Sequence, residues 1–73
     1  MRDDMDLQAR DIVIIEALAD GALPRVEIAA ATEFPRALVG LTVKRLLELG
    51  LLEPAGDMRR AFRLTAPGRA ALN

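Results

Sequence analysis

A chain of 73 residues with a formal net charge of −1 and 52% hydrophobic residues is one domain, too small for a deep active site and too apolar for disorder. It contains neither cysteine nor histidine, which excludes disulfides, thiolate chemistry, the usual general base and the commonest zinc ligands. No apolar run approaches the roughly 20 residues needed to span a bilayer, and none resembles a signal peptide, so the expectation is a cytoplasmic protein without membrane contact, cofactor or enzymatic activity.

Asp3, Asp4 and Asp6 precede Leu7, Ile12, Ile15 and Ala19, with Ile14 and Leu18 alongside. These three- and four-residue spacings predict a first helix over about 6–20, its leading acids favoured by the helix dipole and its end set by Asp20-Gly21. The same acids, with Asp11, read as helix-start residues rather than as a metal site. Ala22-Leu23 reads as a short extended link, and Pro24 opens a second helix over about 24–32 that turns Ile28 and Ala29 inward. After the turn Thr32-Glu33-Phe34, Pro35 starts a third helix over about 35–49, with Val39, Val43 and Leu46 on a buried stripe. Arg36, Gly40, Lys44 and Glu48 fall on its solvent side. Gly50 stops that helix in a left-handed cap, with Leu51 folding back on Leu46. A hairpin follows over about 51–64, turning at Pro54-Ala55-Gly56-Asp57, with Phe62 and Leu64 on one face and Ala61 and Arg63 on the other. Thr65 caps a last helix over about 66–72. The fold class is therefore mainly α with a small β-hairpin: a three-helix core, a wing and a short C-terminal helix, forming a winged helix-turn-helix in one domain, 1–73.

The small net charge conceals an asymmetry. Residues 1–33 carry three arginines against eight acids, a net of −5, whereas residues 34–73 carry six arginines and one lysine against three acids, a net of +4. Such a chain can offer one face to a polyanion and hold the other away from it. Arginine far outnumbers lysine, and alanine and leucine dominate, a composition that fits a GC-rich bacterial or phage source.

Three segments, EALADGALPRVEIAA, VKRLLELGLLE and FRLTAPGRAAL, carry a likeness that extends from Ala17 to Leu72. The chain resembles the winged helix-turn-helix domains of bacterial transcriptional regulators of the MarR and ArsR type. The resemblance implies binding of double-stranded DNA, with the third helix in the major groove and the wing on the backbone or minor groove. Carried over by position, the DNA-facing set is Arg36, Ala37, Gly40, Leu41, Lys44 and Arg45 on the helix with Arg59, Arg60 and Arg63 on the wing. Arg36 is the candidate for base reading; Arg59 and Arg60 are the candidates for phosphate or minor-groove contact.

The sequence departs from that pattern at several places. Pro24 and Pro35 stand where relatives usually place a capping serine or threonine, and Glu33 stands where a glycine is common. Ala37, Leu38, Gly40 and Leu41 occupy positions that usually carry base-contacting side chains. An alternative function follows from these departures: a protein-docking winged helix that uses the apolar side of the third helix, with Leu38 and Leu41 as the contacts. Both leucines could instead complete the core, packing through the wing or Met58, and Met58 itself reads as a wing-tip or gap-filling side chain. Arg63 and Arg69 also fit ordinary surface ion pairs. The partners expected are double-stranded DNA or, on the alternative reading, a protein or a weakly associating second copy.

Overall fold

The computed structural model describes residues 7–56 and 58–72, with the side chains of Met58 and Arg59 outside the description along with the aspartates at 3, 4 and 6. The first apolar segment folds as α1, Ala9–Ala17, and buries Ile14 and Ile15, with Leu18 buried just beyond it. It is shorter than the expected 6–20 at both ends. At its start the Gln8 N–H donates to Asp11 Oδ2 at 2.7 Å, so the third helical residue caps the helix from within. At its end the Leu18 and Ala19 N–H groups reach back three residues to Ile15 and Glu16, each at 3.1 Å, tightening the coil before Asp20 is reached.

A two-residue strand β1, Leu23–Pro24, leads directly into α2, Arg25–Thr32, and a turn then leads into α3, Arg36–Glu48. Both prolines precede their helices as N-caps instead of occupying the first turn. Their φ angles of −75° and −59° suit the pyrrolidine ring, while ψ values of 164° and 148° keep them extended. The turn is pinned by Thr32, whose hydroxyl donates to Ile28 O at 2.8 Å and accepts from the Phe34 N–H at 3.3 Å. Glu33 closes α2 in the left-handed conformation, with φ 63°.

Val39, Val43 and Leu46 form the buried stripe of α3 and meet Ile14, Ile15, Leu18 and Ile28 in one aliphatic core. That helix ends as the glycine predicts. Gly50 has φ 78°, its N–H bonds Leu47 O at 3.1 Å, and the Leu51 N–H bonds Leu46 O at 3.0 Å. This paired capping is a Schellman motif.

The wing comprises β2, Leu52–Ala55, and β3, Met58–Leu64; with β1 they form an antiparallel sheet in the order β1-β3-β2. Phe62 and Leu64 turn into the core as expected. Ala61, placed by alternation beside exposed Arg63, is instead only 1% exposed. Its cross-strand neighbour Pro24 lies on the same side of the sheet, and one methyl group is easily covered.

The final helix α4, Ala66–Ala70, is shorter than expected and ends in a turn over residues 71 and 72. The Thr65 hydroxyl accepts from the Gly68 N–H at 3.1 Å and donates to Gly50 O at 2.6 Å. One side chain thus joins the end of α3 to the start of α4. No helix among the described residues is long and apolar enough to cross a membrane.

Candidate nucleic-acid interface

Helix α3 buries one side and presents the other. Ala37, Leu41, Lys44 and Glu48 follow one another at spacings of four, three and four, and all four are exposed. Arg36 is exposed and Gly40 half-buried along the edge of this stripe. Leu41 is 69% exposed, which removes it from the core. Leu38 is half-buried and lines a small groove of about 150 Å3 between α1 and α3, together with Arg10, Asp11, Leu41, Thr42 and Arg45.

A larger groove of about 470 Å3 lies where α2, α3 and the wing converge, lined by Pro24, Arg25, Val26, Arg36, Val39 and Arg60. Its three guanidinium groups come from three elements. Arg25 and Arg36 are the first residues of α2 and α3, where the unpaired amides of a helix start carry partial positive charge. Proline offers no side-chain acceptor, so neither helix start has a capping side chain. Arg60 reaches the same groove from β3. Among the described residues none of these three arginines is ion-paired, although the exposed Glu33 places an acid just before α3.

Arg25 is absent from the sequence-derived set because it belongs to the acidic half of the chain. Its guanidinium carbon stands 5.3 Å from the centroid of the Phe62 ring, a cation–π contact that steadies it against the wing. A signal for it is present: Leu23-Pro24-Arg25 and Phe34-Pro35-Arg36 repeat an apolar-Pro-Arg triplet at the start of both helices.

Two of the sequence-derived cations are engaged elsewhere. Arg45 is half-buried and its Nη1 lies 3.3 Å from Asp11 Oδ2, which turns it toward α1. Asp11 is fully buried, and its other oxygen has no hydrogen-bond partner among the described residues, so the guanidinium compensates a carboxylate removed from water. Arg63 Nε meets Glu53 Oε2 at 2.7 Å across the β2–β3 pair, a solvent-exposed ion pair of the kind the sequence suggested. Arg69 is exposed and makes no ion pair among the described residues. The structure thus gathers Arg25, Arg36 and Arg60 around one groove, sets Lys44 and Leu41 on the adjoining helix face, and takes Arg45 to α1.

No protein-family model matches the sequence, and no curated protein matches it. Solved structures do. BpsR of Bordetella bronchiseptica, described for regulation of its DNA binding by 6-hydroxynicotinic acid, is 33% identical, with a TM-score of 0.84 over 94% of this chain and 52% of that one. The reduced form of MarR from E. coli is 17% identical, with a TM-score of 0.83 over 93% of this chain and 50% of that one. A cysteine-to-serine mutant of E. coli MarR complexed with operator DNA is 19% identical, with a TM-score of 0.79 over 92% of this chain and 51% of that one. The chain therefore spans about half the length of these structures. Nine-tenths or more of the chain superposes on each of these structures: the chain is a winged helix-turn-helix domain that resembles those of MarR-type transcriptional regulators.

Proposed function

We propose that this domain binds double-stranded DNA and acts as a transcriptional regulator, with α3 in the major groove and the wing against the backbone. The observation that carries the reading is the groove shared by Arg25, Arg36 and Arg60, which sets three guanidinium groups and two helix starts beside the exposed face of α3. Guanidinium groups and helix-start amides are the donors that phosphate oxygens recruit. The DNA binding of BpsR and the operator complex of MarR support the same reading.

In this reading Arg25, Arg60 and Arg59 contact phosphate, Lys44 adds a point charge farther along α3, and Arg36 at the helix start reaches a base edge. Arg45 and Arg63 serve mainly their ion pairs with Asp11 and Glu53. Duplex DNA titrated at two salt concentrations tests the proposal. Affinity falls steeply with salt, and Arg25→Ala or Arg60→Ala shallows the dependence of log K on log salt by about 0.9 for each phosphate no longer neutralised. Arg36→Ala also weakens binding and relaxes the preference among sequences. Absence of duplex binding at low salt would refute the assignment and favour protein docking through Leu41 and Leu38. The docking alternative draws on the exposure of Leu41, but Leu38 is half-buried and the stripe around Leu41 ends in Lys44 and Glu48, leaving little contiguous apolar area.

A further inference from the structure

The outward stripe of α3 is unusual for a helix that reads bases. Its central turns carry Ala37, Gly40 and Leu41, and the helix's one hydroxyl side chain, Thr42, is buried at 3% exposure. Side-chain hydrogen bonds to base edges are therefore available only on either side of this centre, from Arg36 at the helix start and from Lys44 and Glu48 beyond it. At the centre stands Leu41, the most exposed large hydrophobic side chain among the described residues. Ala37 is small, and a Cβ built on Gly40 would meet nothing within 4 Å, so little on this side of the helix keeps its backbone from a close approach.

Every base edge in the major groove offers hydrogen-bond donors or acceptors, and only thymine adds a methyl group. An exposed aliphatic side chain at the middle of a groove-inserted helix has that methyl as its complementary feature. Resting on the reading of α3 as the major-groove helix, we propose that Leu41 is a specificity-determining residue that selects thymine through its C5-methyl group. Leu41 buries against the methyl, while Arg36 and Lys44 anchor the helix on either side.

The test compares thymidine with deoxyuridine, which differ only in that methyl. A preferred duplex is first selected from a random pool with the wild-type chain, and its thymines are then replaced singly by deoxyuridine. Removing the methyl at one position weakens wild-type binding about fourfold, the equivalent of one buried carbon. Leu41→Ala binds the two duplexes equally, and its far-ultraviolet circular dichroism is unchanged because the side chain is 69% exposed. Salt-dependent binding that is indifferent to every deoxyuridine replacement leaves DNA binding intact and overturns the role of Leu41. That role is likewise overturned if the pool shows no enrichment, or if Leu41→Ala retains the discrimination. Loss of wild-type self-association in Leu41→Ala, with thymine discrimination unaltered, assigns the leucine to a protein interface and also overturns it. Failure of the wild-type chain to bind any duplex at low salt overturns both readings together.

Discussion

Gly50 and Gly68 are both required, for different reasons. Gly50 has φ 78°, and an added Cβ would meet nothing within 4 Å, so Gly50→Ala costs only the left-handed backbone strain, about 1 kcal/mol. Gly68 has ordinary helical geometry, but its Cβ would collide with the backbone carbonyl of Leu51, which cannot rotate away. Gly68→Ala is therefore expected to cost more, about 2 kcal/mol or above, and to shift the Gly50–Thr65 link as well. Chemical denaturation of both variants checks the order; a Gly68→Ala chain as stable as wild type would disprove the tight packing of α4. Glu33 poses the reverse case, a carboxylate side chain in a left-handed cap at φ 63°. Glu33→Gly is expected to stabilise the domain by about 0.5–1 kcal/mol and to tighten duplex binding at low salt, since it removes an anion beside the start of α3. Gly50 was legible in the sequence because a helix stop leaves a local signature. Gly68 was not, because the carbonyl that excludes a side chain there belongs to a distant part of the chain.

Among the elements, periodicity placed α3 within a residue at each end and named its buried stripe, since Val39, Val43 and Leu46 record which side faces the core. It served α1 less well. The apolar pattern continues through Leu18 and Ala19, whereas the hydrogen bonding tightens after Ala17, and periodicity does not distinguish the two kinds of turn. The exposure of the candidate residues Arg36, Lys44 and Arg60 was legible in the sequence, whereas the surroundings of Arg45 were not, because a partner from another element decides them. Arg45 lies on the helix beside Lys44, yet its guanidinium is drawn to Asp11 of α1. Arg45→Ala leaves a fully buried carboxylate without that cation and is expected to lower stability by on the order of 2 kcal/mol, short of the largest losses because the arginine is 35% exposed. Measured on the folded fraction, the salt slope of DNA affinity stays at its wild-type value. A variant with an unchanged melting temperature and a shallower slope would return Arg45 to the DNA-facing set.

Across the whole molecule, the fold distributes charge more finely than the sequence halves imply. Arg25 comes from the acidic half, but β1 pairs Leu23 with Phe62 and so carries the start of α2 to the wing, where Arg25 joins Arg36 and Arg60. These three arginines line one groove and have no ion-paired partners among the described residues, so an anion is the complement the groove lacks. An anion that binds between them stabilises the folded chain by linkage: at ten times its Kd the gain is about 1.4 kcal/mol, or roughly 6–11 °C in melting temperature for a domain of this size. Phosphate also stabilises proteins generally through exclusion from their surfaces, so the measurement needs an internal control. Melting temperatures in phosphate and in chloride at equal ionic strength are compared for the wild type and for the triple variant Arg25→Gln, Arg36→Gln and Arg60→Gln. The wild type gains in phosphate beyond the general effect, whereas the variant shows the general effect alone. Equal phosphate increments in the two proteins would mean that the arginines share a groove without forming an anion site, and the DNA reading would then rest on the outward face of α3 alone.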